Sequence, residues 1–139
     1  MSHNIDPSKE QFEQFKNLPR DTPIMMLNLI ALNKSANYKD ATIATGAEAY
    51  ASYGTASGAI FSSVGGQIMW RGNPENMLIG PSDEHWDIAF IASYPNAAAF
   101  LAMVTNPDYQ AIVFHRQAAV QDSRLIRLGE ASDGKSFSG

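Results

Sequence analysis

The run Ile24-Met25-Met26-Leu27-Asn28-Leu29-Ile30-Ala31-Leu32 constrains the fold more than any other stretch. It is apolar on both faces apart from Asn28, and it lies just beyond Pro19 and Pro23, which close off a helix. A β-strand with two apolar faces must be covered on both sides, because each face would otherwise meet water. Trp86 to Tyr94 reads the same way. The chain therefore needs a sheet with a layer on each side, and 139 residues amount to one domain.

The remaining elements follow from local chemistry. Asp6-Pro7 opens a short helix with Phe12, Phe15 and Leu18 on one side. Asn33 to Thr42 is polar and reads as a loop. Thr45 and Glu48 form a capping box ahead of Tyr50, Tyr53, Ser57, Phe61 and Val64 at helical spacing, and Gly65-Gly66 ends that helix. Gly54 and Gly58 each cost it about 1 kcal/mol relative to Ala, which predicts close packing against them. A strand runs from Gln67 to Gly72, and after the turn residues Asn73-Pro74-Glu75-Asn76 the run Met77 to Gly80 returns as a short partner or extension. Asn96 caps a short helix with Phe100, Leu101 and Val104. Asn106-Pro107 breaks it and restarts a second piece bearing Tyr109, Ile112, Val113 and Val120. Ser123 to Leu128 is the last strand.

The order is a leading helix followed by β-α-β-β-α-β, the ferredoxin-like arrangement of the α+β class. It places a four-stranded antiparallel sheet under helices on one face only. The economical cover for the other face is the same sheet from a second copy, which predicts a homodimer with the sheets facing each other. The domain spans 23–130, with an N-terminal helix and linker over 1–22 and a flexible tail over 131–139.

Composition narrows the chemistry. With no cysteine, disulfides, thiol catalysis and Cys-ligated metals are excluded. Ten Lys and Arg against fourteen Asp and Glu give a net charge of −4, without the basic excess of a nucleic-acid binder. No apolar stretch approaches the roughly 20 residues that span a bilayer. No signal peptide is evident at the N-terminus, so the expected location is cytoplasmic, with no nucleic-acid or membrane partner. No glycine-rich phosphate loop or nucleophile elbow is present.

A few residues remain that could carry chemistry. Asn28 is either a core amide bonded to a neighbouring loop or a group that orients a ligand's oxygen. His115, beside Ala111, Ala118 and Ala119, is either a half-buried helix histidine or a general base or metal ligand. No spacing of His and carboxylates matches a zinc site. Trp70 and Arg71 alternate across their strand, so one faces the helices and the other the dimer interior. Either Trp70 is core and Arg71 an ion-pair partner, or Arg71 (or Arg124) reaches the cavity and holds a carboxylate. Tyr50 and Tyr53 face inward, with hydroxyls that need partners.

Several spaced motifs together resemble one family. They are Met25-Met26-Leu27-Asn28-Leu29, Tyr53-Gly54, the stretch from Gly65 to Gly72, Ile79-Gly80, Trp86-Asp87, Tyr94-Pro95 and Phe100-Leu101-Ala102-Met103. Pro107-Asp108-Tyr109-Gln110-Ala111 running to His115-Arg116, and Asp122-Ser123-Arg124-Leu125, complete the set. Over roughly residues 23 to 129 the chain resembles the domain of unknown function 1330 family of the dimeric α/β-barrel superfamily. The resemblance implies the same dimeric fold and no established activity. The superfamily contains cofactor-independent monooxygenases and isomerases that use a pocket between sheet and helices. On that precedent His115 and Asn28 would be catalytic, moving a proton and steadying an oxyanion, while Tyr53, Trp70, Arg71, Tyr94 and Arg116 would bind a small organic ligand without a cofactor. Heme binding or degradation is the alternative, since heme-degrading members use an Asn on the first strand and a His on the second helix; Tyr94 stands where those members carry a Trp. A third reading is a non-catalytic ligand-binding scaffold.

Overall fold

A computed structural model describes residues 3–131 and residue 137. All but two residues of the predicted tail lie outside that range. The helix α1 (Lys9–Asn17) comes first, followed by β1 (Ile24–Leu32), α2 (Gly46–Ser63), β2 (Gln67–Gly72) and β3 (Ile88–Tyr94). Three short helices, α3 (Ala97–Val104), α4 (Pro107–Ile112) and α5 (Phe114–Ala119), lead into β4 (Val120–Leu128). The strands form one antiparallel sheet in the order β2-β3-β1-β4. This is the ferredoxin-like α+β architecture expected from the element order.

Local chemistry explains most boundaries and corrects some. At α2, Thr45 and Glu48 make both reciprocal capping bonds. Asn96 and Asn106 cap α3 and α4. The start of α1 is set by Ser8 rather than Asp6-Pro7, because Ser8 and Gln11 form a complete capping box. Asp6 instead accepts from Gln117 Nε2. Met77 to Gly80 forms no strand: both edges of β3 are already taken by β1 and β2, and Gly80 turns the chain at φ +153°. Val120 begins β4 instead of continuing a helix.

The core divides into two clusters on the helix-covered face. Ile24, Met26, Ala92, Tyr94, Met103 and Tyr109 form one; Ile30, Ala49, Ile88, Ala119 and Val120 form the other. Along β1 the residues facing the helices are thus 24, 26 and 30, and Asn28 falls at the seam between the clusters. The opposite face carries a continuous apolar row across all four strands, Trp70–Ile91–Leu27–Ile126. Trp70 is 64% exposed, Ile126 46% and the adjacent Met25 41%. Among the described residues, nothing covers this row.

The expected close packing at Gly54 and Gly58 is absent. A Cβ at either position would meet nothing within 4 Å, so these two glycines weaken α2 with no steric return inside the chain. Gly54→Ala and Gly58→Ala should each raise stability by about 0.5–1 kcal/mol, measured by chemical denaturation. A loss instead of a gain would show that another body packs on that face of α2.

Candidate functional site

Between sheet and helices the seam of the core is built from polar side chains. The row facing the helices runs Arg71–Phe90–Asn28–Leu125 across the four strands. Arg71 and Asn28 therefore stand two strands apart, roughly 10 Å. The Asn28 amide donates to the Met26 carbonyl at 3.1 Å, which fixes its plane and leaves its oxygen without a protein donor among the described residues. Arg71 is exposed on the edge strand β2 and makes no ion pair among the described residues.

Tyrosines from the helices close over this row. The Tyr53 and Tyr109 hydroxyls are 2.8 Å apart and their rings meet edge to face. Tyr50 packs on Tyr53 at 5.5 Å. Burial pushes the Tyr50 phenol up to about 12, reinforced by Tyr53 and opposed by the nearby Arg116 and Arg71 guanidinium groups. Burial, then the neighbouring Tyr53, also raises Tyr109 and Tyr94. The Tyr50, Tyr94 and Tyr109 phenols are therefore held in their neutral, hydrogen-bond-donating form.

The other predicted site residues are placed less simply. His115 does not bond Asn28; its Nδ1 lies 2.6 Å from the Tyr38 hydroxyl and its ring packs on Phe114 at 4.1 Å. Arg116 spends its guanidinium on the Ile5 carbonyl and Ser123 Oγ, tying the N-terminal segment to β4. Tyr94 sits edge-on to Phe61 and Phe100 with its hydroxyl toward Met103 Sδ, the environment of a core residue. Trp70 does not face the helices at all. A β-bulge between Ile68 and Trp70 shifts the register, so Ile68 pairs with Ala92 on the helix side and Trp70 pairs with Ile91 on the open side. Sequence reasoning missed Tyr38 and Tyr109 as site members, and an aromatic hydroxyl within a polar loop, Tyr38, was the available signal.

On the helix-free side a cleft of about 350 Å³ opens beside the apolar row. Leu29 and Ala89 form its floor, Trp70 and Trp86 stand in its walls, and the segment 73–77 lines one side. At its rim His85 Nε2 lies 2.7 Å from Asp87 Oδ1, while Asp87 Oδ2 accepts the Leu32 N–H at 2.8 Å. Nearby, Asp122 accepts from the Asn4 N–H, the Ser123 N–H and Arg124. Burial alone would raise its carboxyl, but these bonds together hold it below the usual range. Arg124 also stacks on Trp86 at 5.1 Å. No group of His, Asp and Glu among the described residues is placed to hold a metal ion. No described helix is long and apolar enough to cross a membrane.

A family model for the domain of unknown function DUF1330 matches residues 40–128. The chain belongs to that family. The DUF1330 match takes in α2 through β4 and leaves α1 and β1 outside it. The crystal structure of methylated RPA0582 protein is 54% identical over 97% of this chain and all of that one, with a TM-score of 0.92. A second structure of RPA0582, a protein of unknown function from Rhodopseudomonas palustris, is 56% identical over 91% of this chain and 96% of that one, TM-score 0.87. SnoaB, a cofactor-independent oxygenase from Streptomyces nogalater, shares the fold at 13% identity, over 83% of this chain and 99% of that one, TM-score 0.53. No curated protein matches the chain.

Proposed function

We propose that this DUF1330 chain binds a small, flat organic molecule bearing an oxygen anion, at the seam beneath its helices, and works as a homodimer joined through the helix-free sheet faces. The observation that carries the reading is that Asn28 sits where the two apolar clusters meet, with the Tyr53–Tyr109 hydroxyl pair at the edge of the first cluster and the exposed Arg71 two strands away on the same face. A core built only for stability gains little from so many polar groups. An unpaired guanidinium takes a carboxylate or enolate oxygen, and neutral phenols donate to it. The roof offers a way in, because α4 and α5 are six residues each and short helices open at low cost.

If chemistry follows binding, it is proton transfer without a cofactor, with His115 oriented by Tyr38 as the base and Asn28 steadying the oxyanion. The fold shared with SnoaB is compatible with such chemistry, although a fold does not carry an activity with it. Binding without catalysis rests on the same residues. Heme is the weaker reading: the Tyr38 hydroxyl takes His115 Nδ1, and Tyr94 is packed as a core residue among Phe61, Phe100 and Met103.

Salicylate tests the reading. Tyrosine ring resonances should shift saturably on titration, with affinity weakened about tenfold in Tyr109→Phe and in Arg71→Gln, the worth of one good hydrogen bond. Equal affinity in the parent and both variants would remove the seam as the site.

A further inference from the structure

We propose that the loop between β2 and β3 is an arm that clasps a second copy of this chain, its Leu78–Ile79 tip seated in the other copy's cleft. The inference rests on the homodimer joined through the helix-free faces and names what completes that contact. The sheet alone is too small for the task. Four strands at about 4.8 Å and the seven residues of β3 at about 3.3 Å each give a footprint of roughly 450 Å². Each partner in a stable interface gives about 800 Å². Apolar surface adjoining the sheet must supply the rest.

Residues 73–87 join β2 to β3 without helix or strand, a length at which loops usually serve a purpose of their own. Leu78 is 84% and Ile79 89% exposed, so the loop carries an apolar projection. That projection is built. Gly80 turns the chain at φ +153°, and Met77 packs so closely over it that a Cβ there would meet Sδ at 2.5 Å. Residues 73–77, just before the tip, line the cleft together with Trp70 and with Leu29 and Ala89 from the open side of β1 and β3. The arm therefore rises from the same face as the apolar row.

One face thus carries a projection and, beside it, a recess of about 350 Å³ walled by indole and aliphatic surface. A two-fold contact sets a surface against itself, so the projection of each copy meets the recess of the other, twice over. The charges agree with an uncharged occupant. Glu75 and Glu84 line the recess and disfavour an anion, while the Arg124 guanidinium stacked on Trp86 already supplies a cation. Leucine and isoleucine side chains meet both conditions and would cover Trp70.

Sedimentation velocity and tryptophan emission of the full chain test the arm. Trp70 and Trp86 are the two tryptophans, and both line the cleft. Leu78→Ser with Ile79→Ser should raise the dimer dissociation constant about a hundredfold and move the emission to longer wavelength. Far-ultraviolet circular dichroism should not change, because both side chains are exposed in the single chain. Ile43→Ser, at a residue 98% exposed in the loop before α2, should alter neither reading. The arm is overturned if the double variant associates as the parent does, or if Ile43→Ser weakens the dimer equally. In the first case a Leu27→Glu chain that sediments singly would leave the sheet contact standing. A parent that is itself a single chain would overturn the homodimer and the arm together.

Discussion

Gly46→Ala should cost the protein about 3 kcal/mol and lower its melting temperature by roughly 10 °C. Gly46 is the first residue of α2, and a Cβ there would stand 2.0 Å from the Asn33 carbonyl oxygen and 2.9 Å from the Asn33 nitrogen. Neither side can move aside cheaply, since both are backbone. Asn33 is held by its N–H to the Ala119 carbonyl at 2.8 Å, and its side-chain amide donates to the carbonyls of Ala118 and Val120. The contact joins the end of β1, the start of α2 and the junction of α5 with β4, so relief at one point disturbs three elements. Gly54→Ala, two turns further along the same helix, provides the control of opposite sign. If Gly46→Ala melts within a degree of the parent, the tight junction is not as described.

Leu27→Glu should convert the proposed homodimer to single chains at micromolar concentration while leaving the far-ultraviolet circular dichroism unchanged. Leu27 is central in the row Trp70–Ile91–Leu27–Ile126, on the face turned away from the helices. The isolated chain loses little by the change, because the carboxylate reaches water. A pair of copies would bury two facing carboxylates in an apolar centre, which costs several kcal/mol and more than a hundredfold in association. Sedimentation velocity reads the outcome. An unchanged sedimentation coefficient would place the contact between copies elsewhere.

Much of the architecture was legible because its signals are local and strong. The capping boxes and the two doubly apolar strands need no tertiary information, and the unbalanced burial of β1 and β3 already asks for a second layer. Met77 to Gly80 misled because an apolar run after a turn resembles a strand, whereas pairing depends on a free sheet edge that only the topology reveals. The residues of the candidate site were legible by type but not by the face they take. Alternation puts Trp70 and Arg71 on opposite faces, yet the bulge after Ile68 decides which residue meets the helices, and nothing local announces it. Asn28 stood out as the lone polar residue of its strand, and it does mark the seam. His115 stood out by type alone, and its tie to Tyr38 spans 77 positions that no spacing rule covers.

Native mass spectrometry of the purified protein tests the central claim most directly, since it reads assembly and bound ligand together. The account predicts a particle of twice the 15.1 kDa chain that keeps added salicylate, and Arg71→Gln should keep the assembly but lose the salicylate. A bare 15.1 kDa particle, or salicylate retained equally by parent and variant, would contradict it.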